Sequence, residues 1–553
     1  MKKHIIKALC CTLLALPALT SCELDQFPSD SLTDEESWKS YTDATNQYNG
    51  LMAQLRSDVG GANAYISDVM TDLFNQRMTS MTLQKEHTWS FTGSDFSGDV
   101  IYANNYSVVL QANYILNNID RVENGTTQLT AMQKANLDNI KASAYFARAY
   151  AYSNLVTRYC KDYEPETAAQ ELGLPIVQTV SSEARPERAT LQATCDSIEK
   201  DMDRAQLYFD KVDQYNATLT GSNASTKAIN TDIYHPNASA LTALRARFYL
   251  YEHRFDEAIN EAYIIVGDYP LATGLDQVQD LWLFDSASEI IYEPEQTQDE
   301  ITNTYGIYLT FNITTQNLET YLNGMSPDFL PTQGLVNLYE SDDYRRKVYF
   351  SHKYSGYNSF YVSLESGGRY GVVELVQMGY PADIAGTNGK TEDGVIFTKF
   401  SGNAMLRKQG LWYSEIYNMS KAFRSAEAYL IIAEASLRKA APDEAEARDM
   451  LNQLREARGA SPIADDVTGD ALVKEMQDEW TREFVGEGFR LDCLKRWHQG
   501  FKRLTPQRFN NPVLVNVNGY QNLQIDANDK RFVWPIPQQD MQANPNLKQN
   551  EGY

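Results

Sequence analysis

The sequence predicts a mainly α-helical fold: a scaffold of paired helices carrying long irregular loop insertions and minor β-hairpins. Three observations predict it. Apolar residues recur at three- and four-residue steps in segments spread from Trp38 to Phe484, the period of a helix with one buried face. Segments such as Ala142 to Tyr159 set alanines opposite rings, which lets two helices pack closely. Between the helical segments lie stretches far longer than an ordinary connection.

Met1 to Cys22 reads as an export leader. Lys2, Lys3 and Lys7 precede an apolar run, Ile5 to Leu19, that is broken by Pro17 and too short to span a bilayer well. Leu19-Thr20-Ser21-Cys22 resembles a bacterial lipobox, which implies an acylated Cys22 and a stable membrane anchor. The expected division is a leader over 1–21, an acylated tether over 22–36, and a fold that begins near Ser37. Its two parts, 37–290 and 291–553, are expected to form one compact unit.

Trp38, Tyr41, Ala44, Tyr48, Leu51, Met52 and Leu55 make a first helical stripe, which Gly60-Gly61 ends. Residues 58 to 99 form a long mixed loop containing Trp89, Phe91 and Phe96, long enough to suggest function. Periodicity returns at Val108, Leu110, Ala112, Ile115, Leu116 and Ile119. In Ser239 to Pro270, the residues Ala246, Tyr249, Phe255, Ala258 and Pro270 fall on the spacing of a tetratricopeptide repeat. That repeat's usual Trp and Leu are replaced by Thr242 and Arg245. Arg424 to Gly459 repeats the theme with Ala426, Tyr429, Ala433, Leu437, Ala445, Leu451 and Leu454. Insertions between such pairs suggest a curved helical scaffold whose loops fold into a second face.

Composition narrows the function. The 553 residues carry a formal charge of −24, and the leader's three lysines leave the mature chain more acidic still. Such a chain is repelled by phosphate backbones, so nucleic acid is not an expected partner. Beyond the leader and Cys22 remain Cys160, Cys195 and Cys493, an odd number that leaves at least one thiol free in a monomer. Metalloprotease, nucleophile-elbow and phosphate-loop motifs are missing, and His4, His87, His235, His253, His352 and His498 show no metal-ligand spacing. Asp526, Asn528 and Asp529 supply only half of an oxygen set for a structural calcium, and a turn is the better reading. No other cofactor and no metal is expected, and no enzyme.

One stretch near the end carries the most information. Glu479, Arg482, Glu483, Phe484, Gly486-Glu487-Gly488-Phe489-Arg490 and Leu494-Lys495-Arg496-Trp497 alternate acids and arginines at helical spacing around two glycines. This closely resembles the C-terminal signature of the SusD/RagB family of Bacteroidetes surface lipoproteins. Trp480 stands where the family usually has Arg, and Cys493 where it usually has Asp. Further matches follow in order: Ala147-Arg148-Ala149 with Leu174-Pro175-Ile176, Arg424 to Leu430 with Ala433-Glu434-Ala435, and Trp534-Pro535-Ile536-Pro537 with Asn544-Pro545 and Gly552-Tyr553. The resemblance implies a SusD-like fold of four tetratricopeptide-like units with capping loops that bind ligand. It also implies an outer-membrane, cell-surface lipoprotein that captures glycan and delivers it to a SusC-like TonB-dependent transporter. Charges of the signature are expected to hold the final helices to the scaffold rather than to form a site.

A glycan site needs flat rings for a sugar's C–H face and amides for its hydroxyls. Two stretches qualify: Asn75 to Tyr106, with Trp89, Phe96 and Asn104, and Thr302 to Asn323, with Tyr305, Tyr308, Asn312 and Tyr321. For each ring, packing beneath a loop is the competing reading. Trp282, in Leu281-Trp282-Leu283-Phe284, is expected to pack, and Trp412 with Tyr413 form a third choice. Three rivals stay open: capture of peptide or another nutrient by the same fold, a tetratricopeptide-type assembly scaffold that binds no small ligand, and a hydrolase.

Overall fold

The structure, a computed structural model, describes residues 37–76, 80–181, 183–221, 224–296, 307–308, 328–351, 355–364, 370–379, 395–400, 418–507 and 523–553. Cys22 with the rest of the leader and tether, Tyr305, Asn312, Tyr321, Trp412 and Tyr413 lie outside the described residues.

Helices dominate. The longer ones are α1 (Tyr41–Val59), α2 (Asp99–Glu123), α3 (Ala131–Tyr159), α4 (Leu191–Ala217), α5 (Ala238–Tyr251), α6 (Phe255–Asp268) and α7 (Gly274–Leu283). Towards the C-terminus follow α8 (Ser425–Arg438), α9 (Glu444–Ala457), α10 (Asp470–Phe484) and the short α11 (Arg490–Arg496). Side chains start several of them. Ser40 with Asp43 and Thr130 with Gln133 form reciprocal caps on α1 and α3, and Asn237 and Asp443 cap α5 and α9.

Successive helices pack on one another: α1 on α2, α2 on α3, α3 on α4, α5 on α6, α6 on α8 and α8 on α9. In the α5–α6 hairpin Ala246 and Ala258 are buried, so the tetratricopeptide spacing places small residues where the two helices meet. The main core runs through this stack, from Trp38, just ahead of α1, to Trp534 and Ile536 in the terminal segment. Among the described residues, no helix is long and apolar enough to cross a membrane. Cys160, Cys195 and Cys493 are all free and buried.

Among the described residues the strands pair antiparallel, and all but two are two or three residues long. β1 (Phe74–Gln76) pairs with β3 (Phe329–Pro331), β2 (Ile290–Tyr292) with β8 (Phe423–Arg424), and β4 (Phe350–Ser351) with β7 (Ile396–Phe397). β5 (Ser355–Leu364) and β6 (Tyr370–Gly379) form a hairpin, and β9 (Phe501–Lys502) pairs with β10 (Gln524–Ile525). The β1–β3 and β4–β7 pairs, with Ile290 of β2, line a second core of Val69, Leu73, Phe74, Trp282, Tyr308, Phe329, Phe350, Phe397, Phe400 and Val485. Phe397 is its hub, with ring centroids 5.1 Å from Tyr308, 5.3 Å from Phe74 and 5.8 Å from Phe350. Inserted segments thus have a core of their own, and Trp282 packs in it.

Candidate functional site

The signature segment is a buried ion network. Glu483 accepts from Arg424 Nη1 (2.5 Å), Arg458 Nη2 (2.8 Å) and Arg345 Nη1 (2.9 Å), and all four side chains are buried. Glu479 accepts from Arg345 (2.5 Å), Arg482 (2.9 Å) and Arg455 (3.2 Å). Glu289 takes Arg458 (2.9 Å), and Glu487 takes Arg424 (2.7 Å) and Lys399 (2.6 Å). Burial alone would push these carboxyls up. Arg458, Arg424 and Arg345 outweigh it at Glu483 and hold its carboxyl well below the usual range, and Arg345 leads the same effect at Glu479, bringing it to about 2. Lys399 is the reverse case. Burial lowers its ammonium to about 8, although it donates to Glu487 and to the Glu483 and Val485 carbonyls.

These charges are structural. Each carboxylate is saturated by cations, which leaves no base or acid poised for a substrate. Glu289, Arg345 and Lys399 belong to the network but lie far from the signature in sequence, and no periodicity or motif flags them. The two signature glycines form a nest for another buried acid. Asp68 Oδ2 accepts from Gly486 N (2.6 Å) and Gly488 N (3.2 Å), and Oδ1 from Arg490 N (3.0 Å).

Three of the predicted glycan-stacking rings are core residues, and here the structure corrects the sequence reading. Trp89 is only 2% exposed, donates Nε1 to the Met70 carbonyl (2.7 Å) and meets Phe532 and Phe501 at 5.2 and 5.6 Å. Phe96 is held between Phe91 (4.6 Å) and Trp534 (5.0 Å). Tyr308 fills the second core against Phe74 (4.8 Å). A ring closed on both faces offers no plane to a sugar, so packing wins at all three. Trp89 and Phe96 belong to the 58–99 stretch, which holds short helices at Ile66–Val69 and Gln84–His87 rather than one long loop and packs these two rings on Phe532 and Trp534 of the terminal segment. Asn104 is half-buried on α2, whereas its neighbour Asn105 is buried and donates to Asp58 (2.7 Å).

The structure joins the first selected stretch to residues 328–331, which follow the second. β1 pairs with β3 in the register Asn75↔Leu330. Ser80 Oγ donates to Asp328 Oδ1 (2.6 Å), and Asp328 N and Phe329 N both donate to the Ile307 carbonyl (2.9 and 3.1 Å). Gln507 extends the same platform, donating to the carbonyls of Pro331 (2.7 Å) and Val395 (2.8 Å). Residues adjoining several inserted segments therefore share one side of the second core.

A separate cavity of about 110 Å³ lies between α3, α5 and the Glu487–Asp492 turn. Its lining is mixed: Leu244, Phe248, Trp480 and Phe489 are apolar, while Glu427 accepts from Arg247 Nε and Nη2 (2.6 and 2.7 Å) and Arg158 stands 3.4 Å from Asp492. At the possible calcium turn, Asp526 Oδ1 accepts from Asn528 N (2.9 Å), and the Asp529 carboxylate takes Arg531 (2.5 Å). Both acids are thus engaged within the chain.

Comparison with known proteins adds the following. The profile of the SusD family matches residues 288–553, and a profile described as starch-binding, associating with outer membrane, matches residues 24–250. The starch-binding protein SusD of Bacteroides thetaiotaomicron is 34% identical over 131 residues, 24% of this chain. That match spans about a fifth, 21%, of the relative's length. A SusD superfamily protein of Bacteroides thetaiotaomicron superposes with a TM-score of 0.64 at 22% identity, covering 92% of this chain and 99% of that one. A SusD-like carbohydrate binding protein of Bacteroides vulgatus gives 0.60 at 18% identity, covering 92% and 97%.

Proposed function

Because the chain belongs to the SusD/RagB family, we propose that it is a cell-surface lipoprotein that binds oligo- or polysaccharide and delivers it to a SusC-like TonB-dependent transporter. The observation that supports this reading is the β1–β3 ladder with its Ser80–Asp328 bond, which joins the first ring- and amide-rich stretch to residues 328–331, a few residues beyond the second. With Trp89, Phe96 and Tyr308 assigned to packing, the stacking role passes to Tyr305 and Tyr321, with Asn312 and Asn104 as hydrogen-bonding partners. The starch-binding and outer-membrane description of the matched profile supports the ligand class and the location. Cys22 is the acylated anchor. Catalysis forms no part of this role, because ring stacking and hydrogen bonding in a partly wet groove suffice for capture.

Calorimetry on protein lacking residues 1–22, against a panel of oligo- and polysaccharides with peptides as control, tests the reading. At least one glycan binds, and Tyr305→Ala or Tyr321→Ala weakens it about tenfold, ~1.4 kcal/mol, at unchanged melting temperature. Binding of peptides alone selects the peptide-capture reading. Failure of every ligand, with partner proteins co-purifying, selects the scaffold.

A further inference from the structure

We propose that Asp162, Glu164 and His498 form a binding site for a divalent transition-metal ion of zinc-like preference, clipping the end of α3 to the end of α11. The backbone sets the three residues in place from two directions. Asp162 and Glu164 follow Cys160 at the end of α3, where the Glu164 carbonyl accepts from Thr167 N (3.0 Å) and Ala168 N (2.9 Å). His498 closes α11: its N–H donates to the Lys495 carbonyl (3.0 Å), and Gln499 N donates to that of Leu494 (2.9 Å). Lys495 Nζ binds the Thr157 and Cys160 carbonyls (2.6 and 2.5 Å), so the two helix ends are joined without any metal.

One donor atom from each residue lies within 4.8 Å of the other two. His498 Nε2 stands 2.7 Å from Glu164 Oε1 and 3.8 Å from Asp162 Oδ2. Donors 2.0–2.2 Å from a tetrahedral zinc are about 3.3–3.6 Å apart, so small rotations reach that geometry, and the imidazole is 60% exposed and has room to make them. The deciding observation is Asp162. Its side chain is 9% exposed, and its Oδ2 is buried without a hydrogen-bond partner while facing His498. A carboxylate oxygen left so is costly unless a cation reaches it, and at 3.8 Å the imidazole does not hydrogen-bond to it. Two carboxylates with one imidazole suit zinc, cobalt or nickel, whereas calcium prefers an all-oxygen set. His253 stands outside the set. Its Nε2 lies 3.1 Å from Arg438 Nη2, and a guanidinium only donates. The proton is therefore on Nδ1, which faces Glu164 at 4.0 Å and has no lone pair to give.

The test uses the full chain, stripped by chelator and titrated with zinc chloride in calorimetry and with cobalt(II) chloride in visible absorption. One equivalent of zinc binds, cobalt develops d–d bands, and zinc raises the melting temperature. His498 has φ 51°, so His498→Gly suits the backbone there; it keeps the metal-free melting temperature but weakens zinc at least about tenfold and loses the cobalt bands. Asp162→Asn weakens zinc in the same way, and His235→Asn leaves binding unchanged. The proposal is overturned if zinc does not bind, if His498→Gly binds it as tightly as the parent, or if calcium chloride stabilises the chain as much as zinc does.

Discussion

Glu483 is the residue on which the signature's charges converge. It faces three guanidiniums in a site from which water is excluded. Taking such ions out of water costs several kcal/mol apiece, and only saturating pairs offset this. Glu483→Gln keeps the shape but strands Arg345, Arg424 and Arg458 with less negative charge. We expect a loss of about 3–5 kcal/mol in urea denaturation; a loss below 1 kcal/mol would mean that Glu479, Glu487 and Glu289 alone hold the cations. Trp89→Ala belongs to another class. It empties a packed site that also holds the Arg531 guanidinium over the ring (5.6 Å), so it should cost about 3–5 kcal/mol while the glycan stoichiometry stays unchanged. At this scale the sequence was readable for charge and misleading for rings. A tryptophan among Thr, Ser and Gly has the same local pattern whether it meets a sugar or the distant Phe501 and Phe532, which lie some four hundred residues along the chain.

At the scale of elements, the turn between α10 and α11 decides how the signature sits. Gly486 and Gly488 both have φ +83°, a left-handed conformation costing other residues about 1–2 kcal/mol. They are also crowded: a Cβ on Gly488 would lie 2.3 Å from the Asn63 carbonyl oxygen, and one on Gly486 2.7 Å from the Phe397 ring. Gly469 is the open-space control, with φ +57° and ψ −134° and nothing within 4 Å of where a Cβ would stand. Gly469→Ala should cost only the conformational term, whereas Gly488→Ala should cost clearly more and disturb the Asp68 nest; equal shifts in melting temperature would refute the close approach. The helices themselves were legible because each has a periodic face, and α1, α5, α6 and α8 fall close to where their stripes predict them. The break falls at Gly486–Gly488, two glycines that cost a helix interior about 1 kcal/mol each and so mark it in the sequence. The second core was not, because β1, β3, β4 and β7 are two or three residues long and leave no alternation to read. Only three-dimensional pairing shows that Asn75 and Leu330 are neighbours.

Buried acids of opposite tendency give the whole molecule a pH signature. One group is held low: Glu483, Glu479 and Glu434, the last at about 2, where Arg496 and Arg438 overcome burial. A carboxylate with a depressed folded value contributes stability above its unfolded value of 4.5, and that stability is lost as the pH falls from there towards 2. The other group is pushed up, in each case first by burial: Asp58 to about 7, Asp68 to about 6, Asp99 to about 6, Glu252 to about 7 and Glu293 to about 8. Here the folded state binds the proton more tightly, so the sign reverses. Their contribution is fully present below the unfolded values and is lost as the pH rises through 5 to 8. His87 and His253 are lowered, mainly by burial, and oppose this trend below 6.5, but five acids outnumber two imidazoles. The net charge of −24 adds self-repulsion in the alkaline direction. Thermal stability should therefore peak near pH 5, falling steeply in acid and more gently towards pH 8. Melting curves from pH 3 to 9 at fixed ionic strength check this, and a midpoint that rises from pH 5 to 8 would contradict it. Asp58→Asn provides the internal control. Asn63 and Asn105 already donate to Asp58 (3.0 and 2.7 Å), so a neutral amide can occupy the site, and the gentle limb should flatten while the acid limb keeps its slope.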